Sequence, residues 1–273
     1  MAFSTNLLPL LGLLLAAGAI SGLLAGLLGV GGGMVLVPAF FYIFVSLGHE
    51  FEGVMQVCLA SSLATIIVTS SLSVFTHHRN GTVLWSILQS WALPVGLGAI
   101  AGMLTANSLR NDALIVIFAV LALGLSALMT FGGAFKPKEV EMPKGLKRLG
   151  FGLGTGFLST LMGIGGGSIA TPIMLVHGVS IHKAISTAAG FGFIIAVPAV
   201  AGFLLSPTSP EAPIGTIGAV NLPAVLIVLS ASILTTPYGA KLTHRIDTKR
   251  LKRVFGLFLA LVALNMMRRA FLG

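Results

Sequence analysis

The chain has 273 residues, of which 56% are hydrophobic and 8% charged, and its mean hydropathy is +1.02. Those values exclude an ordinary soluble domain and define a polytopic membrane protein. The net charge of +9 does not point to nucleic acid, because the basic residues form short clusters between long apolar blocks, as membrane loops do.

In chain order, Leu7 to Leu28 is apolar and long enough to cross a bilayer, which takes about 20 residues. No Lys or Arg precedes it, which argues against a cleaved signal peptide. Its Gly18, Gly22 and Gly26 recur every four residues and would let a neighbouring helix backbone approach closely. Gly29-Val30-Gly31-Gly32-Gly33 then interrupts the apolar run, and Met34 to Leu47 is short for a full crossing. His49, Glu50 and Glu52 mark a polar loop. Spans follow at Val54 to Phe75, Val83 to Ala106 and Ala113 to Phe131, with His77 to Gly81 expected as a solvated loop. Cys58 lies in an apolar block and, as the only cysteine, can form no internal disulfide. Pro137, Pro143 and five basic residues from Lys136 to Arg148 form a linker, dividing the chain into residues 1–135, 136–148 and 149–273.

The second half repeats the first. Gly22 to Pro38 and Gly156 to Pro172 are identical at eight of seventeen positions, so Gly163-Ile164-Gly165-Gly166-Gly167 is a second copy of the break. Leu149 to Met162 precedes it and Ser168 to Val176 follows it. Ala184 to Leu205, Val220 to Tyr238 and Leu251 to Met267 match the three spans of the first half, with a proline-rich loop at Ser206 to Gly218.

Charge decides how the halves face. If each broken segment crossed once, the 16 Lys and Arg would fall eight on each side, with no positive-inside bias. If each enters and returns, or crosses twice, the halves are inverted. Arg79, the Lys136 to Arg148 cluster, Lys183 and the six basic residues from Lys241 to Arg253 then share one face, leaving Arg110, Arg268 and Arg269 opposite. That distribution is the one the positive-inside rule selects. The expected fold is all-α, with two inverted repeats, each a glycine-broken helical hairpin followed by three transmembrane helices.

Inverted repeats with broken helices at matching positions indicate a secondary transporter with its site near the bilayer midplane. Irregular backbone at that depth must line protein or a water-filled cavity. Helices starting after Gly33 and Gly167 would aim free N–H groups and positive dipole ends into that space, which suits an anion. The plain packing role of glycine is the competing reading.

The doubled Gly-x-Gly-Gly-Gly, each with a proline five residues on (Pro38 and Pro172), together with His182, Ala184, Ser186 and Thr187, resembles the TauE/SafE family of sulfite exporters over almost the full length. The resemblance implies a carrier of sulfite, sulfonates or related small anions in the cell membrane, the inner membrane in a Gram-negative organism. The first half has Met55, Val57 and Ala60 where the family tends to His, Ala and Thr. The candidate substrate-binding residues are Gly31, Gly32, Gly33, Gln56, Ser61, Ser62, Gly165, Gly166, Gly167, Ser168, Thr171, Ser186 and Thr187. Ser168 and Thr171 replace the apolar Met34 and Val37, so an asymmetric site is expected.

All seven carboxylates read as loop or helix-end residues, so no intramembrane carboxylate can relay protons. His177 and His182 are the candidates for proton coupling, against a solvated loop role. No metal or cofactor is expected. The partners are a small anion and the bilayer, without nucleic acid, and an oligomer is compatible with the sequence. Neither glycine cluster carries the Lys-Ser/Thr of a phosphate loop or completes Gly-x-Gly-x-x-Gly, which disfavours an enzyme using nucleotides. A passive anion channel and a non-transporting membrane assembly factor are the alternatives.

Overall fold

A computed structural model describes residues 7–29, 31–131, 141–243 and 248–272. Its helices are α1 (Leu7–Leu28), α2 (Gly33–Ser46), α3 (Val54–Arg79), α4 (Trp85–Ser108), α5 (Asn111–Phe131), α6 (Gly145–Leu161), α7 (Gly167–Val176), α8 (Ile181–Leu204), α9 (Leu222–Leu242) and α10 (Thr248–Leu272). A two-stranded antiparallel hairpin, β1 (Thr216–Ile217) and β2 (Val220–Asn221), precedes α9. The described residues are all-α apart from this hairpin, which the proline-rich loop concealed. Among the described residues, six helices are long and apolar enough to cross a membrane: α1, α3, α4, α5, α8 and α9. The helices after the breaks, α2 and α7, are shorter.

Lipid tails are as apolar as leucine, so helices in a bilayer associate through close packing, which small residues permit. The spaced glycines of α1 meet α9 in this way. A methyl group at Gly18 would sit 2.5 Å from the Val228 carbonyl oxygen, and one at Gly26 would collide with the Thr236 carbonyl. Ser232 adds a hydrogen bond across the seam, its Oγ donating to Gly18 O at 2.8 Å. The second half builds the same seam between α6 and α4, where Gly156 faces Val95 and Ala99 while Gly98 faces Leu153. The other contacts exchange in the same manner: α3 packs on α9 as α8 does on α4, α2 on α3 as α7 on α8, while α3 and α8 pair at the centre and α5 with α10.

Where α3 and α8 touch, they run in opposite directions. Ile66 and Ser70 lie against Gly192, whereas Thr82, past the C-terminus of α3, donates to Ser186 Oγ at 2.8 Å near the start of α8. One end of the bundle gathers His49, Glu50, Glu52, Arg110, Glu211 and Arg269. Arg269 pairs with Glu50 at 2.8 Å, Arg110 lies 4.0 Å from Glu52, and His49 Nδ1 donates to Glu211 O at 3.3 Å.

Two expectations change. The solvated loop at His77 to Gly81 is largely helix: α3 runs through Arg79, and His77 is fully buried with Nε2 donating to Gly26 O at 3.2 Å. Hydropathy marks the edge of the apolar slab, and a helix continues past it. The basic linker is also partly helical, because α6 begins at Gly145, while its Lys136 to Val140 portion lies outside the described residues. At Glu141, the hydrogen bond and charge of Lys144 hold the carboxyl below the usual range.

Candidate functional site at the junction of the glycine breaks

The two breaks meet halfway along α3 and α8. A methyl group at Gly31 would lie 3.1 Å from Gly165 Cα, and one at Gly33 2.9 Å from both Ile164 Cα and Ser62 Oγ. Ser62 Oγ donates to Gly163 O at 2.7 Å, and Thr69 Oγ1 to Gly31 O at 3.4 Å, so side chains from α3 tie the two copies together. Gly166 faces Phe191 and Ile195 of α8.

Local sequence explains each break. Gly29, Gly31 and Gly32 have φ of +65°, +78° and +76°, a region that side chains enter only at a cost, so this turn requires glycine. It ends at Gly32, the N-cap of α2. In the second break only Gly163 has a positive φ, at +59°, and the N-cap of α7, Gly166, has ordinary helical φ of −60°. The first bonds of α7 run from Ile169 and Ala170 to Gly166 O, so the N–H groups of Gly167 and Ser168 precede them without a helical partner. Val35 and Leu36 bond Gly32 O in α2, with Gly33 and Met34 in the equivalent places. Pro38 and Pro172, inside the two helices, lack the N–H that would bond the carbonyls of Met34 and Ser168.

Around these termini lie buried hydroxyls. Ser168 Oγ and Thr171 Oγ1 have no hydrogen-bond partner although their residues are only 6% and 2% exposed. A buried polar group left unpaired costs about 1–3 kcal/mol, so such atoms require an explanation. Ser21 and Ser159, both fully buried, are in the same condition. Ser21 touches the break directly: a methyl group at Gly32 would collide with its Oγ and sit 2.6 Å from its carbonyl oxygen. Sequence reasoning missed Ser21. The signal was its place immediately before Gly22, matched by Thr155 before Gly156, whose methyl lies 3.7 Å from the equivalent point at Gly166.

The remaining expected site residues have structural partners. Ser61 Oγ accepts from Asn221 N at 2.9 Å, and Thr187 Oγ1 accepts from Leu84 N at 2.9 Å. Asn221 and Leu84 are the N-caps of α9 and α4, so Ser61 and Thr187 are equivalent residues of the two repeats. This corrects the register: Ser61, one residue beyond Ala60, stands opposite Thr187. Ser62 is then matched by Ala188, which cannot repeat the bond across the junction. Ser186 Oγ donates to His182 O at 2.7 Å and accepts from Thr82. Gln56 sits at the end that gathers Glu52, its Nε2 donating to Leu109 O at 2.9 Å. His177 Nδ1 donates to Ile173 O at 2.7 Å at the end of α7, and His182 lies in the first turn of α8, so neither is at the junction. Cys58 is a fully buried core residue of α3.

A family model described as "Sulfite exporter TauE/SafE" matches residues 14–266. The chain belongs to the TauE/SafE family. It is a multi-pass membrane transporter. Curated relatives agree with that assignment of this TauE/SafE member. A probable membrane transporter protein of Haemophilus influenzae is 33% identical, covering 93% of this chain and 97% of its own. A probable membrane transporter protein of Methanocaldococcus jannaschii is 26% identical over 95% of this chain and 96% of its own, and YunE of Bacillus subtilis 24% over 92% and 94%. No solved structure matches the chain.

Proposed function

We propose that this TauE/SafE transporter exports a small sulfur-containing oxyanion, such as sulfite or an organosulfonate, bound where the two breaks meet. The carrying observation is the convergence there of two helix N-termini with buried hydroxyls that have no protein partner. With Gly31 against Gly165 the junction is closed, so an anion enters by parting the breaks, and their separation toward one face or the other is the transport step. The exchange of packing partners between the halves, together with the opposite directions of α3 and α8, supports inverted repeats. In that arrangement Arg79, Lys144, Lys183 and Lys241 share the cytoplasmic end, opposite Glu50 and Glu211. A negative cytoplasm then expels the anion with about 2.3 kcal/mol per charge per 100 mV, without proton coupling.

The test is flux in proteoliposomes. An imposed potential drives saturable, counter-transportable sulfite movement, and a carboxylate-modifying reagent leaves it intact. Flux that does not saturate would make the protein a channel, no flux at all an assembly factor, and flux obeying only a proton gradient would return His177 and His182 to consideration. Cysteines placed at Glu50 and Glu211 on a Cys58→Ser background react with an impermeant reagent from outside, and one at Lys144 does not.

A further inference from the structure

We infer that the junction accepts a singly charged oxyanion and rejects its doubly charged counterpart, an inference that rests on reading the junction as the substrate site. The ground is the kind of positive charge available there. No Asp, Glu, Lys or Arg occurs anywhere in residues 7–48 or 149–176, the two broken hairpins. On α3, which packs against both breaks, the titratable groups are Cys58 and the terminal His77, His78 and Arg79, and His77 is engaged with Gly26 O. On α8, His182 and Lys183 belong to the first turn, away from Phe191 and Ile195 where the second break rests. Among the described residues of these elements, no side-chain cation therefore reaches an anion at the junction.

What remains is dipoles. Each helix N-terminus carries about half a positive charge, so α2 and α7 together offer roughly one. The fully buried Ser21 Oγ, held against the N-cap Gly32, and Ser168 Oγ, in the first turn of α7, are donors without partners and add hydrogen bonds but no charge. A monoanion is matched by this set. A dianion keeps about one charge uncompensated in a buried place, and the cost of desolvating an ion rises with the square of its charge. An unpaired buried charge costs about 3–5 kcal/mol, which converts to a discrimination of a hundredfold or more.

Methanesulfonate and sulfate separate charge from shape, because a methyl group replaces one oxygen of a tetrahedral ion. Purified full-length protein in detergent is titrated with each by calorimetry, with sulfite as reference. Methanesulfonate should bind at least about a hundredfold more tightly than sulfate. Ser21→Ala and Ser168→Ala should each weaken methanesulfonate about tenfold while the protein melts no lower. Equal or tighter binding of sulfate would overturn the inference and leave the anion site standing. Sulfate binding that arises only with added sodium would also overturn it, showing that a co-bound cation supplies the missing charge. If sulfite, methanesulfonate and sulfate all fail to bind, the junction is not the substrate site and both readings fall.

Discussion

The two glycine breaks share one motif and use it differently. In the first, the backbone itself demands glycine, with three left-handed residues and the N-cap Gly32 pressed against Ser21. In the second, only Gly163 is left-handed, and Gly166 is needed for room beside Phe191 and Ile195. The side chains that follow divide too: Met34 and Val37 of the first copy fill space, and Val37 packs onto Gly163, whereas Ser168 and Thr171 of the second are polar atoms left without a partner. Duplication gives two turns built on one motif. It does not oblige both to contribute alike: the residues after the first break are apolar, and those after the second are hydroxyls without a partner.

The sharpest way to break that comparison is Gly32→Ala. A left-handed alanine costs roughly 1–2 kcal/mol, and its methyl group would also collide with Ser21, where overpacking adds typically 1–3 kcal/mol. The variant should show the largest fall in melting temperature by fluorescence-detected size exclusion. Gly166→Ala should fall less, because its φ is helical and the atoms met are Ile195 Cδ1 at 2.8 Å, a movable tip, and Phe191 Cβ at 2.9 Å. It should purify folded yet bind sulfite roughly ten- to a hundredfold more weakly, since making room against Phe191 and Ile195 tilts the start of α7. If the two variants melt alike, the breaks are equivalent in their demand for glycine. If both keep normal affinity, the anion sits elsewhere.

What the sequence could reveal follows from what each signal measures. Helix positions were legible because hydropathy reports burial in lipid: Leu7 to Leu28 is α1 to the residue, and the breaks fall where the glycines lie. The pairing of α1 with α9 was not legible, although the small-residue stripe that makes it possible was, since Gly18, Gly22 and Gly26 name no partner. Ser61 and Thr187 were recognised as polar residues within spans, but whether they face a ligand or cap α9 and α4 depends on helices far away in sequence. His77 was misplaced for the opposite reason. A run of His, His and Arg looks like water, yet one imidazole of the run turns inward to Gly26 at the end of α1. The difference between the two copies was readable at Ser168 and Thr171, whereas Ser21 looks like any hydroxyl in a membrane helix until its neighbour Gly32 is known.

The smallest expected change in stability is also the most informative. Ser168 is 6% exposed and its Oγ has no partner, so the fold carries the cost of that desolvated hydroxyl with no bond to offset it. Ser168→Ala removes the cost and keeps the Cβ, so stability should be unchanged or should rise by up to about 1 kcal/mol. An oxyanion at the junction would be the missing partner. In that case the same substitution should weaken sulfite binding about tenfold, the value of one charge-assisted hydrogen bond. A residue that only packs cannot give this result, because losing a packing contact lowers stability and binding together. The counterpart Met34→Ala supplies the contrast: it removes a fully buried side chain and should cost about 2–5 kcal/mol of stability while the affinity of whatever folds stays close to normal. Opposite signs in the two copies would establish that the residue after the first break serves packing and its counterpart after the second serves the ligand. Stability that falls in Ser168→Ala with affinity untouched would leave both breaks as scaffold and send the search for the anion elsewhere.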